Sequence, residues 1–142
     1  MLKDINIHSS VAVYVQIENE VQFAIASGKL KHGDQLPSVR ELSERIDVNP
    51  NTVAKAYRDL EVMGLLYTRR GMGVFIEKGV AGNCRDRCYK RILERLHEVT
   101  QEAKAAGMKK GDLTDVLSKS FATESSPYGE VPKDVRAILK SK

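Results

Sequence analysis

The sequence has few of the residues from which catalytic and metal sites are usually built. Of its 142 residues only 3 are histidine and 2 are cysteine, and there is no tryptophan. The histidines are scattered, no nucleophile stands beside a paired acid or base, and no glycine-rich phosphate loop occurs. We therefore expect no enzyme, and no catalytic residue, bound metal or cofactor.

Long apolar runs are also missing. No stretch approaches the roughly 20 apolar residues that a membrane-spanning helix needs, and the first ten residues, MLKDINIHSS, lack the apolar core of a signal peptide. We expect a cytoplasmic protein with no membrane partner. An aromatic content of 6% gives no indication of a large ligand pocket. Whether a small-molecule effector binds is left open, and the sequence identifies none.

The net charge of +4 does not by itself indicate a nucleic-acid partner. Residues 1–78 contain ten Lys and Arg against ten Asp and Glu, whereas residues 79–142 contain thirteen against nine. An argument for a nucleic-acid partner can therefore rest only on where individual cations lie in the sequence. The length fits one domain of ordinary size or two small ones. We favour two small ones, at residues 10–78 and 79–142.

Residues 36–57, LPSVRELSERIDVNPNTVAKAY, carry two helix starts separated by a tight turn. Ser38 and Glu41 form a capping-box pattern, which starts one helix. Asn49 can cap the next helix, with Pro50 at its first position, where no N–H is needed. The pattern predicts a helix-turn-helix.

The second helix of this pair is expected to have a packed back and a polar outer face. Apolar residues recur at helical spacing on the back: Val53, Ala56, Tyr57 and Leu60. The outer face carries Asn51, Thr52, Lys55 and Arg58. Side chains of these types bond base edges and phosphates in the major groove, so the face predicts DNA contact. A solvated helix face without a partner is the alternative.

Elements on either side complete a domain. From Ser10 an apolar stripe, Tyr14, Ile17, Val21 and Ile25, predicts a first helix ending at Gly28, after an extended lead-in over residues 1–9. Residues 65–67 and 74–76 predict two strands joined by a hairpin tip at 68–73, a wing. Its glycines allow the turn, and its arginines can contact phosphate or enter a minor groove.

Residues 10–78 closely resemble the winged-helix DNA-binding domain of GntR-type bacterial transcriptional regulators. The resemblance rests on Tyr14-Val15-Gln16-Ile17, Gly28-Lys29-Leu30, Leu36-Pro37-Ser38-Val39-Arg40-Glu41-Leu42, Asn51-Thr52-Val53, Ala56-Tyr57-Arg58-Asp59-Leu60, Gly64 and Arg70-Gly71-Met72-Gly73-Val74-Phe75. It implies operator contacts, carried over by position, from Arg40, Asn49, Asn51, Thr52, Lys55, Arg70, Gly71 and Gly73. Ser38, Arg58 and Arg69 are neighbours expected to meet phosphate. Pro50 departs from the polar or basic residue common there, which implies a changed sequence preference.

The remaining residues predict helices with one apolar side each. One stripe comprises Val80, Cys84, Cys88, Ile92, Leu96, Val99 and Ala103, in a helix ending at Gly107. Asp112 is expected to cap a shorter helix whose apolar face is Leu113, Val116, Leu117 and Phe121. Residues 125–132 are expected to form a loop, before a last turn at Val135, Ile138 and Leu139.

Such helices cannot enclose much core alone, so we expect a homodimer. The short region resembles that of the YtrA-type branch of the GntR family. This resemblance implies a mainly α fold with a small β-wing, in which a winged helix-turn-helix is followed by a two-helix dimerisation region. It also implies a repressor that binds double-stranded DNA at a palindromic operator and often controls transport genes.

Two alternatives stay open for the function. Cys84 and Cys88, one helical turn apart, could sense redox state or a metal, with His97 or a second subunit supplying further ligands; they could equally pack as small apolar residues. The winged helix could also be a protein-interaction module without DNA binding, in which case its outer face would be expected to be apolar.

Overall fold

The computed structural model describes residues 2, 5–124, 127–129, 133, 135 and 137. Five helices and three strands lie in this part of the chain. In order they are α1 (Val13–Ala26), β1 (Gln35–Leu36), α2 (Val39–Ile46), α3 (Pro50–Val62), β2 (Leu66–Arg69), β3 (Gly73–Ile76), α4 (Ala81–Ala105) and α5 (Lys110–Ala122). The predicted mainly helical fold with a small β-wing is confirmed. The chain divides into two compact units, residues 1–90 and 91–142.

The first unit is built around α1 and α3, which pack on each other. Apolar side chains from all of its larger elements form one buried cluster, whose members include Ile17, Val21, Ile25, Leu42, Val53, Leu60 and Ile76. Burial of these side chains supplies the main force that holds the helix pair in place, since fully burying one such side chain contributes about 1.5–3 kcal/mol.

Both predicted helix starts are confirmed. The Glu41 N–H donates to Ser38 Oγ at 3.1 Å and the Ser38 N–H donates to Glu41 Oε2 at 3.4 Å, which completes the capping box of α2. The Asn51 N–H donates to Asn49 Oδ1 at 2.8 Å, with Pro50 at the first position of α3. Between the helices Asp47 adopts the left-handed conformation, at φ 53°. These local bonds fix where α2 and α3 begin.

The wing is part of a three-stranded antiparallel sheet with the order β1-β3-β2. Arg69 pairs with Gly73, so the hairpin tip covers only residues 70–72. The prediction of a tip over 68–73 was too wide, because the strands continue to their last ladder pair. Strand β1 was not predicted, since two residues, pairing Gln35 with Phe75 and Leu36 with Val74, are too short to show an alternating pattern.

The start of the chain differs from the prediction. Residues 7–10 form a turn, and α1 begins at Val13 instead of Ser10. The buried Gln16 side chain accepts from the Asn6 N–H and donates to the carbonyls of Asn6 and Val11, each at 2.8 Å. An amide side chain therefore ties this segment to α1, and the apolar stripe is not the only buried part of the helix.

In the second unit, α4 continues to Ala105 and Gly107 follows it at φ 86°. The prediction that Asp112 caps α5 was wrong. The helix begins at Lys110, and the Asp112 carboxylate reaches back to accept from the Lys109 N–H at 3.0 Å. Residues 127–129 form a turn; Ile138 and Leu139 lie outside the described residues. Within the described ranges, no helix is long and apolar enough to cross a membrane.

Candidate nucleic-acid interface

The outer face of α3 is polar and exposed, while its back is fully packed. Asn51, Lys55 and Arg58 are exposed and Thr52 is half-buried. The back-face residues Val53, Ala56 and Leu60 are all 0% exposed, and Tyr57 is 5% exposed. The structure therefore brings the four predicted base- and phosphate-contacting residues of this helix together on one accessible surface.

Lys55 is held by side chains of its own and a neighbouring helix. Its Nζ lies 3.0 Å from Asp59 Oδ2 and 4.5 Å from the centre of the Tyr14 ring. The hydrogen bond to Asp59 raises the pKa of Lys55 above its ordinary value. Hydrogen bonding with the Glu18 carboxyl group, and then with the Lys55 ammonium, lowers the pKa of Asp59. The ammonium and the carboxylate thus stabilise each other's charged forms.

A cleft of about 550 Å³ lies between the start of α2 and the wing. Five of the predicted DNA-contacting residues line it: Ser38, Arg69, Arg70, Gly71 and Gly73. Arg40 and the predicted residues at the start and on the outer face of α3 do not line it. Arg40 is exposed and pairs with Glu44, with 3.1 Å between Arg40 Nε and Glu44 Oε1.

The capping residues Ser38 and Asn49 each use a side-chain oxygen as a hydrogen-bond acceptor within the fold. Ser38 Oγ accepts from a backbone N–H, and Asn49 Oδ1 does the same. A hydroxyl and an amide each also carry donors, so Ser38 and Asn49 can still donate to a phosphate or a base.

The wing is braced by a residue that the sequence did not indicate. Gln35 Nε2 donates to the Met72 carbonyl at 2.9 Å. Gly73 has φ 126°, and a Cβ placed on it would lie 2.5 Å from Gln35 Nε2. Gly73 therefore makes room for the amide that holds the tip. The signal for Gln35 was hidden because β1 is so short.

Aromatic side chains support the same hairpin. The Tyr67 and Phe75 rings stack across β2 and β3, with their centres 5.6 Å apart. The Arg69 guanidinium lies 6.0 Å from the centre of the Tyr67 ring. The arginine at the end of β2 is thus placed over an aromatic face, where cation and ring attract each other.

The structure argues against a thiol sensor at Cys84 and Cys88. Both are buried, and Cys84 belongs to the core of the first unit. Burial and then the charge of Cys88, opposed by Arg87, raise the pKa of Cys84 to about 11. Sensing and metal binding need a thiolate, and the raised pKa keeps the Cys84 thiol protonated at neutral pH. Among the described residues, no three His, Cys, Asp or Glu side chains are grouped so as to bind a metal.

Comparison with known proteins agrees with this geometry. Residues 13–76 match the family model described as bacterial regulatory proteins, gntR family. The repressor YtrA of Bacillus subtilis is 39% identical over 100 residues, which cover 70% of this chain and 77% of that protein. The uncharacterised regulator YhcF of the same organism is 33% identical over 120 residues, or 83% of this chain and 96% of the relative.

Solved structures show the same likeness. A transcriptional regulator from Oenococcus oeni has a TM-score of 0.59 and 32% identity, covering 82% of this chain and 96% of that one. YtrA from Sulfolobus acidocaldarius, a GntR-family transcription factor, has a TM-score of 0.52 and 33% identity, covering 66% of this chain and 99% of that one. The winged helix, its exposed polar α3 and these relatives together show that the chain belongs to the GntR family of bacterial transcriptional regulators, in its YtrA-like branch.

Proposed function

We propose that this protein is a dimeric, sequence-specific repressor that binds a palindromic operator. The outer face of α3 supports the proposal most directly. Asn51, Lys55 and Arg58 are exposed there, and the buried back face keeps them pointing away from the core. A protein-interaction module would be expected to present an apolar face on this helix. The polar face that is present matches the chemistry of base edges and phosphates.

Each part of the surface has a distinct proposed role. Asn51, Thr52 and Lys55 contact bases in the major groove, because they lie in the first turns of α3. Cations and donors at the edge of this surface meet phosphate: Ser38, Arg40, Asn49 and Arg58. The wing places Arg69 and Arg70 against the backbone or in a minor groove, where Gly71 and Gly73 let the main chain approach closely.

A base-reading residue and a phosphate-contacting residue should respond differently to truncation. Asn51→Ala is expected to cost about 1–3 kcal/mol on a duplex selected by the wild-type protein from a random library, and almost nothing on a scrambled duplex. Arg70→Ala should weaken both complexes and reduce the slope of log K against log salt by about 1. Fluorescence anisotropy at several salt concentrations measures both effects. Equal losses on both duplexes for Asn51→Ala would remove the base-contact role.

The homodimer is supported by apolar side chains that the second unit leaves exposed. Along α4, Ile92, Leu93, Leu96 and Val99 are 46–63% exposed, and Phe121 in α5 is 86% exposed. Apolar side chains clustered on one surface mark a site of association. We propose residues 79–142 as the dimerisation region and residues 10–78 as the DNA-binding domain. Two-fold symmetry would then place half-sites about one turn, roughly 34 Å, apart.

A charge placed within the α4 stripe tests the dimer. Leu96→Glu should convert the protein to monomers, because a carboxylate cannot be buried unpaired between apolar helices. Gln101→Glu is the matched control, since it adds the same charge to an exposed position on the far side of the helix. Light scattering after gel filtration gives the mass of each. A monomeric wild-type protein, or a dimer that survives Leu96→Glu, would contradict the proposal.

Repression is supported by similarity to a relative that is itself named a repressor. A bound dimer would act by covering promoter DNA on the chromosome in the cytoplasm. Deletion of the gene should raise transcription next to the chromosomal sites that the protein occupies, as measured by footprinting and RNA sequencing. Lower transcription at those sites would indicate an activator. Transport genes stay the predicted target class, on the resemblance to the YtrA-type branch alone.

A further inference from the structure

Four side chains meet where α1 crosses α3, directly behind the proposed base-contacting surface. Lys55 and Asp59 lie one turn apart on α3, and Tyr14 and Glu18 lie one turn apart on α1. The Lys55 ammonium is within 3.0 Å of the Asp59 carboxylate and 4.5 Å of the Tyr14 ring centre. The Glu18 carboxyl group, which is only 8% exposed, lies beside Asp59 and lowers the pKa of Asp59. The chain of contacts runs from a buried acid to an exposed cation.

This arrangement restrains a side chain that is otherwise very mobile. Lysine carries a compact ammonium on a flexible four-carbon stem, and a single exposed acid one turn away restrains it little. The Arg40–Glu44 pair is such a case, with side chains 88% and 68% exposed. Lys55 differs because a ring from another helix and the Asp59 carboxylate hold its ammonium from two sides.

We propose that Tyr14 and Asp59 are positioning residues that fix the Lys55 ammonium for base recognition and so determine operator specificity. The inference rests on the proposed function, since it assigns how one of the base-contacting residues discriminates.

The restraint favours specificity over affinity for a physical reason. An unrestrained lysine gains energy from any nearby phosphate, whatever the sequence. An ammonium has three donors, of which Asp59 takes one, and the remaining ones point in directions set by the ring and the carboxylate. Only an acceptor at the matching place on a base edge then gains the full bond. The Asp59 charge also repels phosphate, which disfavours non-specific complexes.

The first test neutralises the carboxylate. Asp59→Asn should tighten binding to a scrambled duplex while lowering the preference for a duplex selected by the wild-type protein at least about fivefold, the scale of a single lost base contact. Glu44→Gln is the matched control, because it removes the same charge from an ion pair of the same spacing whose side chains are largely exposed, at 88% and 68%. It should tighten binding to both duplexes and leave the preference unchanged.

The second test changes the ring. Tyr14→Leu should lower the preference, whereas Tyr14→Phe, which keeps a ring face for the ammonium, should retain it. If Asp59→Asn does not fold, the comparison of Tyr14→Leu with Tyr14→Phe tests the proposal without it. Thermal unfolding by circular dichroism shows which variants are folded.

A double-mutant cycle shows whether the effect passes through Lys55. In a Lys55→Ala background, Asp59→Asn and Tyr14→Leu should change the preference no further. A merely structural role would instead lower the melting temperature and both affinities together. The inference is overturned if folded Asp59→Asn and Tyr14→Leu keep the wild-type preference, or if their effects persist without Lys55. A wild-type protein that shows no preference between the duplexes would refute the proposed function itself.

Discussion

Replacement of Gly73 by alanine should weaken the wing more than any other single methyl added to its tip. The backbone at Gly73 has φ 126°, in a region that is essentially reserved for glycine, and such conformations cost other residues of order 1–3 kcal/mol. The new methyl would also lie 2.5 Å from Gln35 Nε2. The amide must then move and give up its bond to the Met72 carbonyl, a loss of about 0.5–1.5 kcal/mol. Together the two effects predict a cost of about 1.5–4.5 kcal/mol.

Two other glycines provide controls for the separate contributions. Gly71 has φ 79° with no atom near an added Cβ, so Gly71→Ala should cost only about 1–2 kcal/mol for a left-handed backbone. Gly82 lies in α4 with open space around an added Cβ and no positive φ. Gly82→Ala should therefore stabilise the helix by up to about 1 kcal/mol.

Native-state hydrogen exchange measures the local free energy of opening in each variant, from the β2 and β3 amides for the Gly71 and Gly73 variants and from the α4 amides for Gly82→Ala. The cycle with Gln35→Ala then isolates the steric part. In that background Gly73→Ala should cost about 0.5–1.5 kcal/mol less than in the wild type, because the hydrogen bond from Gln35 to the Met72 carbonyl is already absent. If Gly73→Ala costs no more than Gly71→Ala, or if the Gln35→Ala background makes no difference, Gln35 does not brace the wing.

Three further predictions concern the helix pair and the core. Asp47→Val should lower the free energy of unfolding by about 1–2 kcal/mol while Asp47→Gly should not, in urea titrations, because a β-branched residue is strained at the φ of 53° found there. Tyr57→Phe should cost about 0.5–1.5 kcal/mol, since the Tyr57 hydroxyl donates to the Pro37 carbonyl at 2.7 Å; an unchanged melting midpoint would refute this. Burial raises the Cys84 pKa from 9.0 to about 11, so the folded protein should resist iodoacetamide at pH 8 and lose stability as the pH rises from 9 towards 11. Rapid labelling of folded protein at pH 8 would contradict the burial argument.

Features fixed by neighbouring residues could be predicted from the sequence. The capping box and the Asn49-Pro50 start depend on bonds between residues a few positions apart, and the residue types at those positions indicate them. Exposure of Asn51 and Arg58 followed from helical periodicity in the same way. In α5 the local pattern was ambiguous, because an acid can cap a helix or stand at its third position, and the sequence favoured the wrong choice for Asp112.

Features that join distant segments could not be predicted. The Lys55–Asp59 spacing was visible in the sequence, but nothing in it showed that Tyr14 would meet the same ammonium from α1. The contact of Gln35 with Met72 joins residues 37 positions apart. It depends on β1, whose two residues leave no periodic signal. Such contacts arise only once the core has set the distance between the elements, which a pattern along the chain does not contain.

Each of these distant contacts holds a proposed DNA-contacting element in place. Tyr57 ties the back of α3 to Pro37 at the start of α2, Gln35 ties the wing tip to β1, and Tyr14 holds Lys55. Any side chain that is mobile in the free protein must lose conformational entropy on binding DNA, about 0.5–1.5 kcal/mol for each long one. If folding has already restrained these side chains, less entropy is lost on binding, and the complex gains affinity without added contacts. The winged helix would then discriminate between sequences by keeping its donors in place before the DNA arrives.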